Sequence, residues 1–326
     1  MTGDESVELT LTDAGVTVRE GEYATLPAYT GLQRSVLPVF AAIGDRMIGL
    51  GTAVCVAPGL FITARHVIAD LDDGLPPRWH VPYENMWIYL ETDQRLADDA
   101  GAVYGGLLEV LFANPHSETD LATLTVHTPG NSAQWMRPVT LALRMPDVGE
   151  QIDCFGYDLA TAERPLDADP ITLVVERRLC VSTGRITSQH ATRRLGGAHR
   201  TSPGFSTTAA TPSGMSGGPV FDARNHVIGF NSGSTAPNAQ HPRWDNFAAG
   251  TAAALELNFI ANGDAPDPGQ AASDFADRTV QLAQLVAENQ IACHMYDSFR
   301  VDPETGSADY VPPAAQAVGE AHDETV

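Results

Sequence analysis

Thr211-Pro-Ser-Gly-Met-Ser-Gly-Gly-Pro-Val-Phe221 is the stretch on which the reading of this chain turns. Ser216 stands two residues after Gly214 and directly before Gly217 and Gly218, and Pro219-Val-Phe begins an apolar run that reads as a strand. A nucleophilic serine needs a loop of small residues, so that a carbonyl can reach its hydroxyl. The same loop must aim backbone N–H groups at the oxygen that turns negative in the transition state. Glycine suits both needs, having no Cβ in the way and no penalty for unusual dihedrals. Taken alone, the stretch is equally an ordinary glycine-rich turn.

The flanking sequence supplies short strands. Val36–Ile43, Met47–Ala57 and Leu60–Thr63 are rich in Val, Ile, Ala and Phe, with turns at Gly44-Asp45 and Pro58-Gly59. Runs at Met86–Glu91, Val103–Phe112, Asp120–Val126, Val139–Leu143 and Gln151–Gly156 follow, and then a connection of turn composition over Asp158–Pro170. Beyond it come Ile171–Glu176, Gly184–His190, Phe205–Ala209, Pro219–Asp222 and Val227–Asn231. No helices alternate with these strands before residue 250, so the pattern predicts an all-β barrel or sandwich pair. Near the end, Thr251 is expected to cap a short helix over Ala252–Ile260. A longer helix is expected from Ser273 to about Gln290, with Phe275, Leu282, Leu285 and Val286 on one face. Such a stripe reads first as docking surface.

Composition narrows the partners. The chain has 326 residues, with 19 basic against 41 acidic side chains and a net charge of -22. Nucleic acid and anionic membrane surfaces are thereby disfavoured, since phosphate binding relies on clustered positive charge. Cys55, Cys154, Cys180 and Cys293 are too widely spaced for a metal-ligand pattern, and no metal or cofactor is expected. The acidic N-terminus lacks the build of a secretory signal, and no apolar run approaches the roughly eighteen residues needed to cross a bilayer. A cytoplasmic protein with reduced thiols is the expectation. Residues 1–35 read as an N-terminal extension, whether hairpin, arm on the domain or disordered tail, and 36–262 as the main domain. Residues 263–326, with twelve acidic and two basic side chains, read as linker, helix and acidic disordered tail.

Serine is a poor nucleophile near neutral pH unless a base removes its proton. Histidine suits that task, and an acceptor must hold its imidazole in one tautomer. The candidates stand in the order His66, Asp120, Ser216, far enough apart that strands of both halves must bring them together. Three stretches carry a resemblance to a known family: Thr63-Ala-Arg-His66 after the Gly51-Thr52 strand, Asp120-Leu-Ala-Thr-Leu124, and Gly214-Met-Ser-Gly-Gly-Pro219. The chain resembles the chymotrypsin-like (trypsin-like) serine peptidases over about Val36 to Ile260, in particular the intracellular bacterial-type branch without the family disulfides.

The resemblance implies a double six-stranded β-barrel with the catalytic cleft between the barrels and C-terminal helices beyond. It implies a serine endopeptidase working through an acyl-enzyme on Ser216, with His66 as base and Asp120 orienting it. The backbone N–H groups of Gly214 and Ser216 would form the oxyanion hole. Ala210, Thr211, Asn231, Ser232 and Asn246 would bind substrate, with Ser232 near Asp120. A protein or peptide substrate is expected, and a regulatory protein partner could act through the N-terminal arm or the C-terminal helix. The alternative is a catalytically silent peptide-binding module on the same fold. Three positions depart from the secreted enzymes: no cysteine falls where their bridges lie, Met215 replaces the Asp before the serine, and Ala210 replaces the acid of the trypsin-type pocket. No PDZ-like module follows residue 262.

Overall fold

β-branched and aromatic residues at alternate positions form strands, and here both faces of many strands are apolar, so both must be covered. The computed structural model describes residues 16–26, 31–43, 46–69, 86–91, 105–116, 119–128, 132–163, 174–194, 201–237, 244–255, 257–260, 279–295, 299–301 and 308–310. In chain order the strands begin with β1 (Tyr23–Thr25), β2 (Val36–Ile43), β3 (Arg46–Ala57), β4 (Leu60–Ala64), β5 (Met86–Glu91), β6 (Gly105–Pro115) and β7 (Leu121–Val126). They continue with β8 (Leu141–Leu143), β9 (Gln151–Glu163), β10 (Val174–Arg194), β11 (Thr201–Thr207), β12 (Pro219–Phe221), β13 (Val227–Thr235) and β14 (Asp245–Gly250). After these come β15 (Asn258–Ile260), β16 (Thr279–Gln281) and β17 (Cys293–Met295). The helices are short: α1 (Arg65–Ala69), α2 (Thr251–Ala254) and α3 (Leu282–Ala287).

Two rings close. In the first, the order is β3-β2-β5-β6-β7-β4, with β4 pairing back onto β3. In the second, β9-β10-β11-β14-β13-β12 returns to β9. The expected double six-stranded barrel is the observed architecture. β3 and β9 stitch the rings together through Arg46↔Glu163, Met47↔Ala162 and Ile48↔Thr161.

Period-two alternation decides which core each side chain joins. Along β3, Ala53 and Cys55 enter the first barrel with Phe61, Ile88 and Leu124, while Val54 and Val56 face a second cluster with Ile62, Phe155 and Phe230. The second barrel holds its own core of Ile152, Cys154, Phe205, Met215, Val220 and Ile228. Each fully buried Val, Leu, Ile, Phe or Met side chain among these contributes about 1.5–3 kcal/mol. Residues outside 36–262 also enter the shared cluster: Leu26 and Leu32 before it, Leu282, Leu285 and Ile291 after it. β1 extends the second ring by pairing with β10 (Tyr23↔Ser182), so the described part of the N-terminal extension lies as an arm on that barrel.

Several boundaries differ from the sequence expectation. β9 runs on to Glu163 instead of stopping at Gly156, because β3 and β10 offer ladders on both its sides. Val174–Glu176 of the expected Ile171–Glu176 run and Gly184–His190 are parts of one strand, β10, with a register shift at Arg178/Leu179; residues 171–173 lie outside the described residues. Thr251 does not cap a helix through Ile260. Its hydroxyl donates to the Ala142 carbonyl at 2.6 Å, α2 ends at Ala254, and Asn258–Ile260 pairs with β16. The longer helix is reduced to α3, since Thr279–Gln281 is a strand; Ser273 and Phe275 lie outside the described residues. So do the Gly44-Asp45 turn and the acidic tail from 311 on. Leu282, Leu285 and Val286 are buried against the fold, as a docking stripe should be.

Candidate active site

The register of one strand pair sets His66 beside Asp120. β4 runs into α1 at Arg65, and Asp120 directly precedes β7, whose Leu121 pairs with Ala64. The Arg65 N–H donates to the Asp120 carbonyl at 3.1 Å. The carboxylate then meets His66 twice: Oδ1 accepts the backbone N–H at 3.1 Å, and Oδ2 lies 2.8 Å from Nδ1. A carboxylate only accepts, so the neutral ring carries its proton on Nδ1 and its lone pair on Nε2. The Ser232 hydroxyl donates to the same Oδ2 at 2.5 Å. The acid is 7% exposed and the imidazole 33%, so the orienting group is dry while the base reaches the surface.

The serine arrives from the second barrel on a turn wedged between the two rings. Ser213–Met215 forms one 3-10 turn, and the Ser216 N–H closes it on the Ser213 carbonyl at 3.3 Å. The Ser216 carbonyl accepts the Thr52 N–H at 2.8 Å, and the Gly217 N–H donates to Asn231 at 2.7 Å. A Cβ on Gly51 would sit 2.6 Å from the Val67 side chain and 2.9 Å from the Ser216 carbonyl oxygen, so the residue after His66 and the serine share one corner. Gly217 has φ 82°, and a Cβ there would lie 2.2 Å from the Thr52 carbonyl oxygen. Gly214 is equally constrained, 2.2 Å from the Tyr157 carbonyl oxygen by the same measure. The glycines therefore serve close backbone packing as well as access to the hydroxyl. Met215 is fully buried in the second-barrel core, where Gly156 presses on its backbone. Apolar packing thus holds the position where secreted relatives carry an acid.

Of the expected substrate residues, Ala210, Thr211, Asn231, Ser232 and Asn246 are all buried. Asn246 Nδ2 donates to Asn231 Oδ1 at 3.3 Å, and Asn231 Nδ2 donates to the Phe155 carbonyl at 3.4 Å. The Ala210 N–H donates to Ser182 Oγ at 2.7 Å. Thr211 Oγ1 and Asn246 Oδ1 have no hydrogen-bond partner among the described residues. Ser232 belongs with Asp120, and the other four are neutral.

Sequence reading missed three contributors. Thr52, named only as part of a strand, is fully buried and bonded to the serine turn. Thr63 donates through Oγ1 to the Thr52 carbonyl at 2.7 Å. His116 orders the approach to Asp120: its carbonyl accepts the Arg65 guanidinium, its N–H donates to the Leu121 carbonyl at 2.9 Å, and its Nδ1 accepts the Thr119 N–H at 3.1 Å. The available signal was a polar residue embedded in an apolar strand (Thr52, Thr63), which demands a partner once buried.

The solved structures include similar chains. The Rv3671c protease from M. tuberculosis, active form, is 17% identical at a TM-score of 0.45, covering 73% of this chain and 84% of that one. The MamO protease domain from Magnetospirillum magneticum (apo form) is 16% identical at 0.43, covering 68% and 95%. Deg5 is 20% identical at 0.39, covering 68% and 87%. Curated proteins give no match. The profile of the trypsin-like peptidase domain matches residues 51–230, which is more than half of the chain and spans the His66, Asp120 and Ser216 segments. By that match the chain belongs to the trypsin-like peptidase family.

Proposed function

We propose that this peptidase is a serine endopeptidase that hydrolyses peptide bonds through an acyl-enzyme on Ser216. The observation that carries the reading is the doubly bonded His66–Asp120 pair, 2.8 Å at Nδ1 and 3.1 Å at the backbone N–H, with Ser232 on the same oxygen. Such a pair keeps Nε2 basic and stabilises the imidazolium. In the first step Nε2 takes the Ser216 proton as Oγ attacks the substrate carbonyl, and the carbonyl oxygen becomes an oxyanion. The imidazolium then gives that proton to the leaving amine, and water repeats the cycle on the ester. None of these steps needs a metal or cofactor.

The oxyanion would be held by the N–H groups of Gly214 and Ser216, which requires the Ser213 carbonyl to withdraw from the Ser216 amide. That 3.3 Å bond is what favours the second reading, a peptide-binding module without turnover, because it occupies one of the two donors. The residues that the family resemblance assigns to the primary pocket, Ala210, Thr211, Asn231 and Asn246, are uncharged, so a small or uncharged side chain is expected there rather than Arg or Lys. Unfolded protein and a peptide library should be cleaved by wild type and not by Ser216→Ala. Equal treatment of substrate by the two proteins, with peptide still bound, would favour the module. A cleavage profile dominated by Arg or Lys would contradict the pocket assignment.

A further inference from the structure

The serine turn is fastened by one residue of the other barrel. Thr52 lies on β3 with no exposed surface, and its three polar groups make four hydrogen bonds. Its N–H donates to the Ser216 carbonyl at 2.8 Å, and its own carbonyl accepts Thr63 Oγ1 at 2.7 Å. Its hydroxyl accepts the Tyr157 N–H at 2.9 Å and donates to the Gly214 carbonyl at 3.0 Å. A hydroxyl that accepts one buried bond and donates another has a fixed torsion and a fixed direction of donation.

The two carbonyls held by Thr52 belong to the Gly214–Met215 and Ser216–Gly217 peptides. They flank the Met215–Ser216 peptide, whose N–H is the Ser216 donor, so this donor is fixed from both sides. The preceding Ser213–Gly214 peptide is held differently. Among the described residues its carbonyl is bonded only to the Ser216 N–H, at 3.3 Å, long for such a bond. Rotation about ψ of Ser213 and φ of Gly214 turns this peptide over without disturbing the Thr52 bonds. The carbonyl then leaves Ser216, and the Gly214 N–H comes to the side it vacates. Glycine tolerates the new dihedral.

We infer that Thr52 is a positioning residue for the hydrolysis proposed above: its hydroxyl clamps the Gly214 carbonyl, so that only the Ser213–Gly214 peptide moves when the two-donor oxyanion site forms. The inference rests on that reading for its catalytic part and on geometry for the clamp. Thr52→Val keeps the shape and removes the hydroxyl; Thr52→Ser restores it.

The test measures kcat and KM on one peptide substrate, together with amide hydrogen exchange over residues 212–218 and 155–158, in full-length wild type, T52V and T52S. T52V should lose about tenfold to hundredfold in kcat, less than deletion of an oxyanion donor, with KM changed by no more than about twofold. Its exchange should rise over both segments and not across the rest of the barrels, and T52S should recover both readouts. An active T52V with kcat within about twofold of wild type, or with unchanged exchange at the turn, overturns the inference. Thr52→Ala, judged by the same thresholds, replaces T52V if that variant does not fold. Inactive wild type with exchange altered as expected would sink the hydrolytic reading and leave the clamp standing. Active wild type with an indifferent T52V would do the reverse.

Discussion

At the scale of single residues, the site is a set of groups whose roles follow from their partners. Ser216→Ala or His66→Ala should each lower kcat/KM by roughly four orders of magnitude or more, and the double variant by little beyond that, because the groups act as a unit. Asp120→Asn should be nearly as severe: an amide could donate to Nδ1 and so impose the wrong tautomer. Steady-state kinetics on the purified variants checks all of these. Met215 makes a separate prediction. It is fully buried among apolar neighbours, so Met215→Leu should cost less than about 1.5 kcal/mol. Met215→Asp would bury a charge with no partner and should cost on the order of 3–5 kcal/mol. Denaturant unfolding distinguishes the two; equal stabilities would contradict the apolar role of this position.

At the scale of elements, the hairpin from β12 to β13 is tied to β17 by stacked imidazoles. His226 and His294 lie 5.2 Å apart at an interplanar angle of 22°. Burial pushes the His226 imidazole below its ordinary value; Asp222 opposes this, while His294, Arg224 and Arg144 reinforce it. Since an unfolded imidazole titrates near about 6.5, the unfolded chain takes up a proton that the folded one resists. The stabilisation is therefore complete above that pH and is lost as the pH falls through the folded value. The thermal midpoint should decline from pH 7 towards pH 5, and His226→Gln should flatten part of the decline. A variant with an unchanged slope would rule out this contribution. The sequence makes the first barrel legible, because β2, β3 and β4 consist of apolar runs punctuated by Pro58-Gly59. It hides the ends of β9 and β10, since the apolar positions that alternate in Asp158–Glu163 are alanines, weak strand formers, and β3 and β10 flank the segment. The helix expected at Ala252–Ile260 fails for a related reason: the Thr251 hydroxyl bonds to a distant carbonyl instead of capping.

For the whole molecule, the two barrels and the chain ends share one core. His66, Asp120 and Ser216 were legible as candidates because each sits in a short local motif. Thr52 was not, since its partners Gly214 and Tyr157 are more than a hundred residues away. Because β1 pairs with β10 and Leu26 enters the core, removal of residues 1–35 should lower the thermal midpoint rather than activate the protein. Met215 gives a newly freed ammonium no acid to pair with. Activity that appeared only after cutting near Ser35 would contradict this. No helix among the described residues is long and apolar enough to cross a membrane. The four cysteines are free; Cys55, Cys154 and Cys180 are buried, and burial pushes the Cys293 thiol up to about 12. Thiol titration of denatured, unreduced protein should therefore count four, and a count of two or zero would indicate bridges.

The most direct test is intact-mass spectrometry of full-length protein after reaction with a fluorophosphonate, followed by peptide mapping. A single adduct on Ser216, absent from Ser216→Ala and strongly slowed in His66→Ala, is the predicted result. An unlabelled wild type, or an adduct that persists in Ser216→Ala, would contradict nucleophilic catalysis by this serine.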